Sequence, residues 1–442
     1  MVGINIIIIF LFLITLLAIL KYQVQPILLI LQTLFGSYIG IICLKNKKVD
    51  IIIYLMAIIF FVLGYLIIYK IKTKKIDEEK IIVKRTEERY KLYILEIIII
   101  FFVIYHFMVG GIPLFQDNVE IDRFKFDSGL FGIPGRIYLF GLPFIYIYTY
   151  LFYDNKRNMN LLFITLFFIF ARALGGIKSG VIEVLSIYII LRMAENNAIK
   201  LKNIVNKKTL LIGSFFLIFI FKLTQSYQTM SNISFYNFTK YILDRLTVIQ
   251  AYPLDFLLKK YDSIILENTN LWNDFKYFFF KYTKIFGQMD NYFPTDNVVS
   301  ANIYNTPLEK SSFIVPVTIG AFGEFYIYFG FFAIICMFIC GIVYGYLIKK
   351  ISFKNMSIFK KTNIIMLIIF FEGFITKGGF SYSLINFIFM SLLFMILNLF
   401  GLFIVQSINK SKKKGEIYED CINIRDTSRS DKNGTSISYD EK

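Results

Sequence analysis

FIVPVTIGAFGEFYIYFGFFAIICMFICGIVYGYLIKK, Phe313 to Lys350, holds an apolar run over 325–348 with one carboxylate, Glu324, at its start and Lys349 and Lys350 at its end. Wound as a helix, such a run is about 36 Å long at 1.5 Å per residue, enough to cross the roughly 30 Å of hydrocarbon in a bilayer. Pro316, Gly320 and Gly323 lie ahead of Glu324 and break regular helix there. Irregular backbone at membrane depth persists only where protein or water satisfies it, so this segment implies a cavity with Glu324 at its edge. The alternative is that Glu324 caps the start of the helix.

Runs of the same kind recur near 4–20, 26–44, 51–69, 92–109, 137–153, 159–174, 179–193, 209–224, 362–376 and 382–405. Of the 442 residues, 57% are hydrophobic and only 18% charged, a balance that a soluble domain of this size does not show. The expected fold class is all-α: a polytopic integral membrane helical bundle of about eleven transmembrane helices with a large extracytoplasmic loop. The first run, MVGINIIIIFLFLITLLAIL, lacks a basic leader and a small-residue cleavage site and reads as a retained span.

The net charge of +17 is distributed over short loops between apolar runs. That distribution fits the excess of Lys and Arg on cytoplasmic loops and excludes a nucleic-acid-binding face. It places 70–91, 194–208, 349–361 and the tail after Asn409 inside, although KNKKVD (45–50) then falls outside despite its three lysines. The domain reading is a membrane domain over 1–409, with outer loops at 110–136 and 225–312, and a disordered cytoplasmic tail over 410–442.

Charge within the apolar background marks the candidate chemistry. FARALGGIKSGVIEVL, Phe170 to Leu185, sets Arg172, Lys178 and Glu183 around a glycine-rich hairpin, and intramembrane charges are rare unless something uses them. Arg172 either faces a ligand beside Lys178 or pairs with Glu183 to hold two helices together. The first outer loop carries Asp122, Arg123 and Arg136 among further acids and bases. The second begins with SFYNFTKYILDRLTVIQAY, whose apolar face has Arg245 at its border and which Pro253 is expected to end. Further on, Trp272, Phe275, Phe279, Tyr282 and Phe286 form a stripe at helical spacing with lysines between them, the pattern of a helix lying in the membrane interface.

His106 is the only histidine, and no P-loop or dinucleotide fingerprint is present. A histidine-rich metal site and nucleotide-driven chemistry are thereby excluded. What remains is an outward cavity with Arg and Lys suited to phosphate and one or two carboxylates.

GGIPLF followed by acids and Arg123, the GGIKSG hairpin, DRL at 244–246 and IGAFGEFYIYFG at 319–330 occur in an order that resembles the Wzy-type polymerases of O-antigen and capsule repeat units, from about 80 to 405. The resemblance implies glycosyl transfer on the outer face of the bacterial inner membrane, from undecaprenyl pyrophosphate to a hydroxyl of the next lipid-linked unit. It implies no cofactor and no metal, since protein cations stabilise the departing pyrophosphate. On that reading Arg123, Arg136, Arg172 and Lys178 hold pyrophosphate and glycan, Arg245 approaches from the loop, and Glu324 or Asp122 is the base. The implied partners are the lipid-linked oligosaccharide, the membrane, a chain-length regulator and a flippase. A lipid-linked oligosaccharide flippase and a glycan ligase are the competing readings.

Overall fold

The structure, a computed structural model, describes residues 26–44, 47–70, 85–116, 132–153, 158–177, 180–194, 214, 218, 221–222, 234–246, 248–260, 270–283, 292–308, 317–351 and 356–430, with side chains up to 407. Among these residues the chain is helical throughout, without a strand. The helices in chain order are α1 (Ile27–Cys43), α2 (Lys48–Lys70), α3 (Arg85–Gly110), α4 (Leu142–Tyr153), α5 (Met159–Leu174), α6 (Gly180–Ala194), α7 (Phe235–Leu246), α8 (Val248–Lys260), α9 (Leu271–Thr283), α10 (Thr295–Tyr304), α11 (Gly320–Phe329), α12 (Ala333–Ile351), α13 (Ile358–Lys377) and α14 (Phe380–Ser430).

Four segments are long and apolar enough to cross a membrane: Lys48–Ile68, Glu88–Phe115, Gly320–Ile351 and Phe380–Ser407. Ile27–Cys43 and Met159–Leu174 are shorter apolar helices. Ile97, Phe101, Ile104 and Met108 form an exposed apolar stripe down α3, and Leu392, Ile396, Leu399 and Phe403 another down α14. Water penalises contiguous apolar stripes of this kind, whereas hydrocarbon accommodates them. The chain is thus a helical membrane protein. The sequence count of about eleven exceeds the four long spans found among the described residues. Part of the difference is that 4–20 lies outside them, as does most of 209–224.

The closest helix pair is α2 with α12, and glycines set its spacing. A Cβ on Gly341 would meet the Phe61 carbonyl oxygen at 2.0 Å, and one on Gly64 would meet that of Phe338 at 2.3 Å. Small residues let backbones approach and recover dispersion energy where no hydrophobic effect acts between helices. At the centre lies α4, buried on every side from Leu142 to Tyr150. It packs on α3, α5 and α13, with the Phe144 ring stacked on Phe394 of α14.

Three carboxyl groups inside this core are hydrogen-bonded, which offsets the cost of burying them. Glu88 accepts from Tyr148 and from Lys91, the latter at 2.8 Å. Glu96 accepts from Thr149 and Asn160, at 3.0 and 2.8 Å. Glu372 accepts from Tyr344 at 2.6 Å. His106 is buried and stacks on Tyr138 with ring centroids 5.1 Å apart.

Three details differ from the sequence reading. Pro253 lies inside α8, Val248–Lys260, and does not end a helix. The apolar run at 325–348 is interrupted by a 3₁₀ turn, Gly330–Phe332, with Gly330 at φ 56°. The backbone of α14 stays helical through Ser430, into the tail expected to be disordered from 410, and 431–442 lie outside the described residues.

Candidate functional site

Glu324 sits in the first half of α11, 2% exposed, at the end of two spans. The turn from α13 to α14 determines its surroundings. Gly378 and Gly379 adopt φ of 84° and 73°, a left-handed pair that residues with a Cβ avoid. This turn aims the Phe380 amide, the first of α14, at Glu324, where it donates to both carboxylate oxygens at 3.1 and 3.0 Å. Glu324 therefore caps a helix, but the helix is α14 and not its own. The unpaired N–H groups and positive dipole end of α14 stabilise a carboxylate there.

One helical turn on, the Tyr328 hydroxyl contacts Glu324 Oε1 at 3.2 Å and donates a short hydrogen bond to Asp274 of α9. Asp274 is 3% exposed and collects three more hydrogen bonds. Tyr292 Oη donates to it, as does Thr295 through its hydroxyl at 2.7 Å and its amide at 3.2 Å. So many donors on one carboxylate suit an acceptor-only, charged group. Tyr328 has a single hydroxyl hydrogen and two carboxylate neighbours. Both contacts are hydrogen-bonded together only when one further proton resides in the cluster.

Asp296, in the first turn of α10, adds a third carboxyl group. Burial, and then the charge of Asp274, push its pKa up to about 7. Among the described residues no Lys or Arg forms an ion pair with Asp274, Asp296 or Glu324; the pairs found are Lys91–Glu88, Arg172–Glu183 and Lys259–Asp255. Like charges this close do not all ionise, which again puts a proton in the cluster. Beside it opens a cavity of about 480 Å³ walled by Leu271, Trp272, Phe275, Tyr328, Phe329 and Phe380.

Arg172 lies elsewhere and is fully committed. Its Nε and one terminal nitrogen donate to the two oxygens of Glu183 at 3.0 and 2.9 Å. It also donates to the carbonyls of Tyr138 and Leu139, at 3.2 and 2.7 Å. Those carbonyls belong to the π-helical turn Ile137–Gly141 that leads into α4. Pro143 has no N–H to return to them, so Arg172 supplies the missing donors. The guanidinium also lies over the Tyr138 and Phe168 rings, 5.1 and 5.3 Å from their centroids. Of the two sequence readings, the internal pair with Glu183 is the one realised.

The remaining candidates do not join Glu324 among the described residues. Arg136 lies over the Phe389 ring at 5.4 Å. Arg245 is on α7, its side chain outside the description, and Asp122, Arg123 and Lys178 lie outside the described residues. Sequence reasoning missed Asp274, Thr295, Asp296 and Tyr328. Two local signals pointed to the last three: Tyr328 follows Glu324 by four, one helical turn, and Pro294-Thr295-Asp296 reads as a helix start.

Comparison with models of protein families, with curated protein sequences and with solved structures finds no match to this chain. Fold and site together define a class, a helical membrane protein with a proton-holding carboxyl cluster at the end of two spans.

Proposed function

We propose that the chain is a metal-independent glycosyltransferase that joins undecaprenyl-pyrophosphate-linked oligosaccharide repeat units into O-antigen or capsular polysaccharide. Its place is the outer face of the bacterial cytoplasmic membrane, with the C-terminus inside and about eleven spans in all. The observation that carries this reading is Glu324, joined to Asp274 through Tyr328, which lines a cavity where two spans begin. Glycosyl transfer to a sugar hydroxyl needs a base, and Glu324, held by the Phe380 amide and in contact with Tyr328, is a carboxyl group placed for that task.

In the reaction, the acceptor hydroxyl loses its proton to the carboxylate while its oxygen bonds to the anomeric carbon of the growing chain. The bond from that carbon to pyrophosphate breaks and its electron pair leaves with the pyrophosphate. Among the described residues no Lys or Arg pairs with the cluster, and the leaving group is assigned to Arg123, Arg136, Lys178 and Arg245, as the resemblance to Wzy-type polymerases implies. Arg172 is a positioning residue that braces the hairpin carrying Lys178. Asp274 supports Glu324 through Tyr328, and Asp122, the alternative base of the sequence reading, lies outside the described residues. Partners are the lipid-linked unit, a flippase and a chain-length regulator.

A flippase is the second reading, favoured by the same carboxyl groups without a counter-charge, since proton-coupled carriers use such groups. A glycan ligase is the third. Deletion in the native host, with surface polysaccharide resolved on a gel and lipid-linked intermediates extracted, separates them. Collapse of a long ladder to single repeat units selects the polymerase. Absence of units outside selects the flippase, and full polymer still on its lipid carrier selects the ligase.

A further inference from the structure

The cavity beside the cluster has a composition of its own. Five of its walls are aromatic: Trp272, Phe275, Tyr328, Phe329 and Phe380. Trp272 and Phe275 stand nearly parallel, 6° apart with centroids at 5.8 Å. The Trp272 ring already attracts one ammonium, that of Lys276, 5.4 Å from the ring. Ring faces carry negative charge density and draw cations.

Behind these walls lie the carboxyl groups. Glu324 is bonded to the Phe380 amide and Asp274 to the Tyr328 hydroxyl, without a paired Lys or Arg among the described residues. Among the described residues no Lys or Arg pairs with these carboxyl groups, so their charge favours a cation in the cavity. Which cation is decided by the lining. Among the described residues, the polar side-chain groups of the lining beyond Tyr328 are those of Asn270, Ser381 and the Trp272 indole N–H, and the Ser381 hydroxyl is turned to the Leu271 carbonyl at 3.4 Å. A primary ammonium would bury three N–H donors with too few acceptors, whereas a quaternary ammonium has none to satisfy.

We propose that this cavity binds a trimethylammonium group. Its place, at the start of the spans Gly320–Ile351 and Phe380–Ser407, is lipid-headgroup depth. The group arrives either on a phospholipid headgroup or as a substituent of a glycan. The inference stands on the cavity and does not depend on the glycosyl-transfer reading.

Trp272 is the only tryptophan in the chain, so fluorescence excited at the red edge, where tyrosine does not absorb, reports on this wall of the cavity. The full chain, in dodecyl maltoside micelles doped with phosphatidylglycerol, is titrated with choline and with its neutral isostere 3,3-dimethyl-1-butanol. The expected result is a saturable change with choline and at least about tenfold weaker binding of the isostere. Phe329→Leu, on a partly exposed ring that can change without unfolding the protein, weakens choline by roughly three- to tenfold and leaves the isostere unmoved. Glu324→Gln does the same. Doping with phosphatidylcholine separates the sources: a headgroup ligand shifts the Trp272 spectrum beforehand and abolishes the choline titration, whereas a glycan substituent leaves the titration intact. Equal binding of choline and isostere, or choline binding unchanged in Phe329→Leu, overturns the proposal.

Discussion

Glu324 and Asp274 share one tyrosine hydroxyl, and the first prediction tests that arrangement. Glu324→Gln keeps the shape and removes the base. Polymer formation falls by about 10²–10⁴-fold, the usual worth of a positioned general base, while the amount of protein in the membrane stays near normal. Quantifying lipid-linked single units against polymer checks it. Asp296 makes a prediction about stability. Its pKa rises on folding from 3.8 to about 7, so between these values the folded chain holds a proton that the unfolded chain releases. Stability from this group is complete at low pH and is lost as pH rises through about 7. Thermal unfolding in detergent across pH 4–8 should show that fall, and Asp296→Asn should flatten it. Arg172 predicts a different signature. Removing one partner of a buried ion pair strands the other, at a cost of about 3–5 kcal/mol, so Arg172→Ala lowers protein abundance together with activity. Only the activity falls if Arg172 instead faces substrate.

Among the helices, the contact of α2 with α12 is the most exacting. With the Phe61 carbonyl 2.0 Å from where a Cβ would stand, Gly341→Val forces the two backbones apart and costs about 1–3 kcal/mol of overpacking. Gly373, whose Cβ would meet no atom within 4 Å, accepts Ala without loss and serves as the control. Reduced thermal stability of the first variant beside an unchanged second is the outcome to look for. Elements are also where the limits of the sequence become clear. The helices over α2, α3 and α12 to α14 were legible because length and apolar content alone determine them. Glu324 stood out as a lone carboxylate after glycines. Asp274 did not, since its partner Tyr328 lies 54 residues away and nothing local in LWNDFKYFFF announces it. The role of Arg172 was hidden for the same reason: the carbonyls it serves are 33 and 34 residues upstream, freed by a proline in another helix.

For the whole molecule, the exposed stripe Ile97, Phe101, Ile104 and Met108 is the surface that hydrocarbon must cover. Phe101→Lys places a charge there at a cost of roughly 2.5–3.5 kcal/mol on the insertion scale, and membrane-integrated protein should drop, whereas Phe101→Leu leaves it unchanged. Carbonate extraction of membranes measures both. The hairpin between α5 and α6 has a consequence for how the chain is made. On the proposed topology, Arg172 and Glu183, eleven residues apart with the turn at Gly175–Ile177 between them, enter the bilayer as neighbours whose charges cancel. Biogenesis must therefore deliver the two helices together, because a machine that released α5 into lipid before α6 emerged would abandon a bare guanidinium there. The chain thus specifies the order of its own assembly through a pair of charges that cancel only when they arrive together.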